Sequence, residues 1–242
     1  MHKFTSLLLG TSVAVGIVLA GNAAYAADLP MAAPVAAPAA APASAGAYIS
    51  VFGGYALPMD VHGVYSTDTA SFTAPFGSGY VIGGALGMHL MPNLRGEVEV
   101  SYSSRDVSGL VTATVPNNPP FTATSTTGSG SILYAFGNLW YDLDIGNGIT
   151  PYLGGGLGAA VMMPNFSYVG GPGGTFDSAS SATFAGQLGA GLRFQLADNI
   201  TADVGYRVKG LWNGELSGSA DGKLTGVNLV DQSVQVGLSL GF

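Results

Sequence analysis

Few residues of this chain have side chains and spacings that could support chemistry. It contains no cysteine, which excludes disulfides and thiolate metal sites. His62 lies two residues after Asp60 and four before Ser66, so a histidine base beside a serine nucleophile is one arrangement this stretch could form, in an acyl-transferring or acyl-hydrolysing enzyme. The alternative is a solvated histidine in a polar loop. We favour the loop histidine.

A glycine-rich run supplies a second candidate. Gly154, Gly156 and Ala159 fit the loose dinucleotide-binding pattern G-x-G-x-x-G/A, but the run lies inside a predicted strand and no helix follows it. We therefore interpret these glycines as packing residues that leave room in a narrow lumen for side chains such as Trp140. His89 has inward parity near Glu97, which indicates an interior polar group rather than a ligand, and no metal-ligand spacing exists. We predict no catalytic, cofactor-binding or metal-binding residue.

Charged residues that alternate with apolar ones are the more informative set. In a hairpin whose turn is centred on Asp198, the numbers of two residues that face each other sum to 396. Arg193 therefore faces Asp203, and we predict a direct ion pair between them. Two interpretations stay open: an ion-paired filling of a pore too thin for solutes, or the lining of a narrow channel. The predicted lumen charge network consists of Arg95, Glu97, Glu99, Asp142, Arg193, Asp203, Arg207 and Lys209.

The elements that must position these charges are β-strands. The C-terminal run, residues 229–242, alternates with a period of 2, and only Gln232 breaks its apolar series. Similar alternation recurs along most of the chain. It predicts eight strands at residues 47–57, 79–90, 94–104, 130–143, 149–162, 181–196, 200–211 and 229–242.

Composition indicates that the apolar faces of these strands contact lipid. The chain is 48% hydrophobic and only 9% charged, far below the roughly 25% that is typical of soluble domains. No apolar run reaches the roughly 18 to 20 residues that a spanning helix needs. A closed sheet satisfies its backbone groups inside a membrane, so we predict a transmembrane β-barrel.

The N-terminal residues indicate export. Lys3, an apolar stretch and Ala24-Tyr25-Ala26 form a secretory signal over residues 1–26, with cleavage expected after Ala26. Residues 27–46 are rich in Ala and Pro, and this composition predicts an extended periplasmic linker. Removing Lys3 leaves 6 basic and 14 acidic residues, a net charge near −8. This charge makes a nucleic-acid partner unfavourable.

Connection lengths set the topology. Short turns at Asn93, Gly146 and Asp198 alternate with long polar loops at about 58–78, 105–128, 163–180 and 212–226. In membrane barrels the short turns are periplasmic and the long loops extracellular. The prediction is an all-β, eight-stranded antiparallel up-and-down barrel over residues 47–242, monomeric, with both termini in the periplasm.

Specific motifs resemble a known family. Ala26-Ala27-Asp28-Leu29-Pro30, the strand end over residues 138–143, the run over residues 150–158 and the terminal Phe242 together resemble the small outer-membrane β-barrel proteins of Gram-negative bacteria, the porin-family and OmpA-transmembrane-like surface antigens, particularly those of alphaproteobacteria. The resemblance covers about residues 47–242. It implies that Phe242 is an assembly signal read by the barrel-assembly machinery. Nothing follows Phe242, so we expect no peptidoglycan-binding domain of the OmpA type.

The expected function follows from these observations. We predict an outer-membrane barrel without enzymatic activity or cofactor, which has a structural or surface-interaction role in envelope integrity, adhesion or antigenic display. The alternatives are a narrow, low-conductance porin and a lipid A-modifying enzyme. The expected partners are outer-membrane lipid and lipopolysaccharide, the assembly machinery, and a host or surface ligand that contacts the extracellular loops.

Overall fold

A computed structural model describes residues 46–65, 71–114, 120–146, 148–169, 174–176, 182–217 and 223–242. The predicted signal peptide and all but the last residue of the predicted linker lie outside these ranges. Within them no helix is long and apolar enough to cross a membrane. The described secondary structure is entirely β, as the alternating pattern predicted.

Twelve strands form one sheet. They are β1 (Ala47–Ala56), β2 (Met59–Tyr65), β3 (Ser71–Met91), β4 (Leu94–Val107), β5 (Thr112–Thr114), β6 (Phe121–Thr122), β7 (Ser125–Asp142), β8 (Ile149–Val169), β9 (Gly174–Phe176), β10 (Thr183–Ala197), β11 (Ile200–Ser217) and β12 (Lys223–Gly241).

These strands close into a ring of eight antiparallel positions. β1 and β2 follow one another along the first position, since each pairs with both β3 and β12. The ring continues through β4, β7, β8, β10 and β11 back to β12, while the short β5, β6 and β9 add to the end that the loop lengths predict to be extracellular. Because β1 pairs with β12 from Tyr48↔Gly241 to Ala56↔Ser233, the two terminal strands close the ring. The predicted eight-stranded barrel is confirmed.

The outer face of the ring is apolar in its periplasmic half. Leu188 is 70% exposed and Val98 is 65% exposed, although both are large hydrophobic side chains. Exposed large hydrophobic side chains occur at all eight positions of the ring, which would be unfavourable in water and matches the lipid-facing belt of a membrane barrel. Inward residues on the same strands are polar and buried.

The strand boundaries that we predicted from the sequence were wrong at the end predicted to be extracellular. The stretches that we predicted as long loops contain β2, the start of β3, the end of β8, the end of β11 and the start of β12. β3 and β8 are each 21 residues long, about twice the 9 to 11 residues that cross a bilayer. The extra residues look loop-like in sequence because their outward side chains are polar, as at the exposed Asp60, His62, Asp106, Thr127, Asn165 and Asn228.

A bulge in β3 explains why simple alternation failed there. Phe72, Ala74 and Phe76 face inward at even positions, whereas Val81 and Ala85 face inward at odd positions. The register to β4 shifts between Phe76 and Gly79, so the parity reverses at this irregularity. No uninterrupted period of 2 therefore joins the membrane part of β3 to its extracellular part.

Candidate functional site

The candidate site is the filled lumen of the ring. Inward faces of β4, β7, β10, β11 and β12 carry all of its charges, because alternate residues of a strand point to the same side. Five cations face five anions, so the formal charges of the set balance. The set comprises the eight predicted residues together with Arg105 and Asp231, which sequence reasoning missed.

The layer nearest the periplasm is centred on Asp142. Arg95 donates to both carboxylate oxygens of Asp142, with Nε–Oδ2 and Nη2–Oδ1 distances of 2.7 and 3.0 Å. Arg193 adds a third contact from Nη1 to Oδ2 at 3.3 Å. The Tyr48 hydroxyl accepts from Arg95 and donates to Glu97, both at 2.9 Å. One carboxylate therefore holds two guanidinium groups, and a tyrosine links them to a second carboxylate.

The predicted ion pair between Arg193 and Asp203 does not form. The register was right, since these residues are direct Cα partners across β10 and β11. The Arg193 side chain instead extends across the lumen to Asp142 on β7. Asp203 accepts a long hydrogen bond of 3.4 Å from the Tyr152 hydroxyl. The Arg193 side chain is long enough to reach Asp142, which Arg95 already orients. The register between neighbouring strands therefore does not determine the ion-pair partner of Arg193.

The middle layer is centred on Glu99. Lys209 Nζ lies 2.9 Å from Oε1, and Gln187 Nε2 and Asn138 Nδ2 lie 2.8 and 3.0 Å from Oε2. Lys209 also donates to the Ser101 hydroxyl at 2.6 Å. The side chains of Glu99 and Lys209 are each only 2% exposed. Both charges are thus paired and further hydrogen-bonded, as buried ions require.

Arg207 has an aromatic partner. Its guanidinium carbon lies 4.1 Å from the centroid of the Trp140 ring, a cation–π arrangement. Its Nη1 is buried and has no hydrogen-bond partner among the described residues. Arg207 lines a lumen cavity of about 30 Å³, and a volume of this size holds about one water molecule. Gly154 makes room for Trp140, because a Cβ at this position would lie 2.7 Å from the indole ring.

A third polar layer lies closer to the extracellular side. Arg105 forms a short ion pair with Asp231, and Tyr134 donates to the other carboxylate oxygen at 3.1 Å. Arg105 also donates to the Leu57 carbonyl at 2.9 Å and so contacts the junction between β1 and β2. Sequence reasoning missed Arg105 because it ended the strand at Ser104. Continuing the inward series from residue 95 by steps of two would have included it.

Beyond this layer the lumen contents become apolar. A single cluster of buried hydrophobic residues fills the extracellular part of the barrel, and we call it the apolar plug. Phe72 and Tyr168 have ring centroids 6.3 Å apart, and Phe76 meets Phe166 edge-on at 5.7 Å. A gap of about 30 Å³ lies within the plug. Its other members include Met59, Val61, Val111, Ile132, Met162, Leu211, Val227 and Leu229.

Among the described residues, the other sequence candidates do not form a reactive site. His62 is exposed on β2 with Nδ1 3.1 Å from the Thr73 hydroxyl, and Ser66 lies outside the described residues. His89 packs its ring against Tyr48 at 5.9 Å. Across the described ranges, no group of His, Asp and Glu residues could hold a metal ion. The backbone of Phe242 donates to the Ala47 carbonyl at 3.0 Å, which ties the end of the chain to the start of β1.

A closed ring of eight strands with a lipid-facing belt and a charge-paired interior defines a membrane-spanning β-barrel. The chain belongs to the outer membrane protein beta-barrel domain family, whose model matches residues 29–242. This confirms the outer-membrane β-barrel family predicted from the sequence. Among curated proteins, none matches the chain at a significant level.

The chain is similar to several solved structures at low sequence identity. OprG from Pseudomonas aeruginosa is 16% identical, with a TM-score of 0.50 over 82% of this chain and 97% of its own. Neisserial surface protein A is 18% identical, with a TM-score of 0.48 over 82% of this chain and 99% of its own. The outer membrane protease OmpT from Escherichia coli is 11% identical, with a TM-score of 0.47 over 83% of this chain and 98% of its own.

Proposed function

We propose that the protein is a closed outer-membrane barrel with a structural or surface-interaction role and no catalytic activity. The observation that carries this proposal is the continuous filling of the lumen. Three hydrogen-bonded polar layers, centred on Asp142, Glu99 and Asp231, lie below the apolar plug. A solute would have to break buried ion pairs and then cross a dehydrated apolar segment.

The extracellular extension of the barrel supports a surface role. At about 3.3 Å per residue and a tilt near 40°, a 21-residue strand rises about 50 Å, roughly twice the 25 Å apolar band of such barrels. The apolar plug gives this extension a packed core. The extended strands therefore end well away from the bilayer, where a host or surface ligand can reach them.

Substituted-cysteine labelling tests the closed lumen, because the native chain has no cysteine. Ser101 and Ser233 are buried at 1% and 2% exposure in the middle of the barrel, and Val169 is exposed on β8. In proteoliposomes, a membrane-impermeant thiol reagent should modify Val169→Cys and leave Ser101→Cys and Ser233→Cys unmodified. Labelling of both lumen cysteines as fast as Val169→Cys would indicate a water-filled channel, the porin alternative.

The surface role needs a cellular test. Residues 115–119 and 170–173 connect strands at the extracellular end by sequence position. Replacing both with Gly-Ser segments of equal length should abolish adhesion or antibody binding of expressing cells while the heat-modifiable barrel remains in the outer membrane. Loss of envelope integrity without any change in surface binding would instead assign the structural role.

Lipid A analysis tests the enzyme alternative. We expect the same acyl-chain pattern, by mass spectrometry, in cells with and without the gene. A difference that disappears in a His62→Ala strain would reassign the protein as a lipid A-modifying enzyme.

A further inference from the structure

A patch of small polar side chains covers the outward face of β4, β7 and β8 in the extension. Asp106 on β4 is the Cα partner of Ser129 on β7, and Ser129 is the Cα partner of Asn165 on β8. The next row towards the strand ends pairs Thr127 with Ser167. We call these five residues the polar wall. Neighbouring strands lie about 4.8 Å apart, so Asp106 and Asn165 are about 10 Å apart across it.

The polar wall begins directly above the lipid-facing belt. On β7 the outward Leu133 is 41% exposed, and the next outward residue is Ser131. On β4 the outward series changes in the same row, from Tyr102 to Ser104, since Ser104 is the Cα partner of Ser131. The Tyr102 hydroxyl donates to Ser131 at 2.7 Å, and Ser131 donates to Ser104 at 2.9 Å. This row of bonded hydroxyl groups therefore marks the edge of the belt.

Residue counting places the polar wall at the same depth. Asp106 follows Leu94, at the periplasmic turn, by 106 − 94 = 12 residues. At about 3.3 Å per residue and a tilt near 40°, Asp106 lies about 30 Å from this turn along the membrane normal, whereas the belt is about 25 Å high. The side chains of the polar wall point sideways, away from the lumen. They therefore face the head groups of the leaflet on the side of the long loops.

The hydrogen-bonding groups of the polar wall are available to a ligand. Asp106 and Asn165 are exposed, and neither side chain has a hydrogen-bond or ion-pair partner among the described residues. A carboxylate accepts hydrogen bonds, and an amide both donates and accepts them. Sugar hydroxyl groups also donate and accept. An array of a carboxylate, an amide and small hydroxyl side chains therefore matches the hydroxyl groups of one or two sugar rings.

The charge of the polar wall selects among head groups. The five lumen cations are all of the lysine and arginine side chains that the structure describes, so none of these points to the outside. The polar wall instead carries the carboxylate of Asp106. A phosphate placed against it would meet a like charge and no described cation, which is unfavourable. A neutral sugar meets neither problem.

We infer that the polar wall binds the neutral sugar head group of an outer-leaflet glycolipid, with Asp106 accepting from its hydroxyl groups and Asn165 donating to them. A second copy of the barrel fits this face less well, because its own Asp106 would add a second set of carboxylates. A membrane-anchored sugar is favoured over a soluble glycan, because anchoring holds it beside the wall at a high effective concentration. The site is independent of whether the lumen conducts and of what the connecting segments bind.

Native mass spectrometry of barrels released from mixed vesicles tests the inference. The vesicles contain phosphatidylethanolamine, phosphatidylglycerol and a dihexosyl diacylglycerol, which is the neutral glycolipid probe. Wild-type protein should retain the dihexosyl lipid in preference to phosphatidylglycerol. Asp106→Ala and Asn165→Ala should each lower this retention roughly two- to tenfold, the range expected for one net hydrogen bond. Asp106→Asn keeps an acceptor and should retain the lipid as wild type does.

The matched control is Asp60→Ala. Asp60 is an exposed carboxylate on β2, which β3 separates from β4, and its Cα partner is Pro75, which has no hydroxyl group. This variant should bind as wild type, and a heat-modifiability gel verifies that every variant is folded. Unchanged retention in both Asp106→Ala and Asn165→Ala, or equal loss in Asp60→Ala, would overturn the site. Equal retention of phosphatidylglycerol would overturn the neutral sugar, and competition by the free disaccharide would overturn the membrane source.

Discussion

Asp142 is the residue on which the periplasmic layer of the lumen depends. Its carboxylate is the acceptor for Arg95 and Arg193, and its side chain is 8% exposed. Removing a buried partner leaves the remaining charge uncompensated, which costs more than the pair itself contributes. Asp203, in contrast, accepts one long hydrogen bond from Tyr152. The two aspartates should therefore differ strongly in their contribution to stability.

We expect Asp142→Ala to lower the free energy of unfolding by about 3 to 5 kcal/mol, because two guanidinium groups lose their carboxylate. Asp203→Ala should cost about 1 kcal/mol, the scale of one hydrogen bond. The exposed Asp106→Ala is the control, with an expected change below about 0.5 kcal/mol. Urea unfolding of the refolded barrel in lipid vesicles measures all three. A larger loss for Asp203→Ala than for Asp142→Ala would mean that Arg193 pairs with Asp203 after all.

A double-mutant cycle tests the middle layer. Glu99→Gln and Lys209→Met each leave one buried charge alone, so each should destabilise the barrel by about 3 kcal/mol or more. The double variant should recover part of this loss and give a coupling energy of about 1 to 3 kcal/mol. Strictly additive losses in urea unfolding would show that these two residues do not interact.

The inward direction of these charges could be predicted from the sequence, but their partners could not. Parity follows from the period of 2, so Arg95, Glu99 and Lys209 were assigned to the lumen from alternation alone. Cross-lumen contacts join strands that are not neighbours, such as Lys209 on β11 with Glu99 on β4. They depend on the width and stagger of the closed ring, which single-strand patterns do not contain.

At the scale of elements, the β3 bulge joins two parts of the strand with opposite parity. Gly79 lies at this irregularity, and a Cβ there would lie 1.9 Å from the Ser104 carbonyl oxygen on β4. Gly79→Val should therefore reduce the folded, heat-modifiable fraction after refolding. Gly137→Val places the same side chain on an open part of β7 and should fold as wild type. Equal folding of both variants would contradict the close approach of β3 and β4.

The extracellular strands show why element boundaries were not predictable. Their outward residues are mostly polar and their inward residues apolar, which is the reverse of the membrane part. Because of these polar outward residues, we predicted loops where the structure has strands. The short elements β5, β6 and β9 carry too few residues for a periodic signal. In contrast, the positions of the short turns at Asn93, Gly146 and Asp198 were predicted correctly, because the strands that flank them keep one pattern to their ends.

Closure of the sheet depends on β12. Phe242, the residue that follows β12, is 68% exposed, and its backbone N–H donates to the Ala47 carbonyl. Deleting Phe242 removes this contact and the aromatic residue expected at the membrane interface, so outer-membrane levels of the folded barrel should fall. A Phe242→Tyr strain, which keeps an aromatic ring, is the control. Wild-type levels in the deletion strain would refute a role for Phe242 in assembly.

At the scale of the whole molecule, the barrel combines two interiors of opposite character. In the membrane part, apolar side chains face lipid and ion pairs fill the lumen. In the extension, polar side chains face water and the apolar plug fills the lumen. The change occurs at the Asp231 carboxylate, which pairs with Arg105 and accepts a hydrogen bond from Tyr134, itself a member of the plug. The same strands are thereby stable in lipid and in water, and the lumen is filled in both parts of the barrel.

Planar-bilayer recording tests the closed barrel most directly. Refolded wild-type protein, inserted at a level verified by heat-modifiability, should give no discrete openings above those of detergent blanks, while a general porin reconstituted in the same way gives steps. Asp142→Ala should also remain silent, because the apolar plug and the other two polar layers stay in place. Reproducible unitary openings of the wild-type protein, abolished by a lumen substitution, would contradict the account.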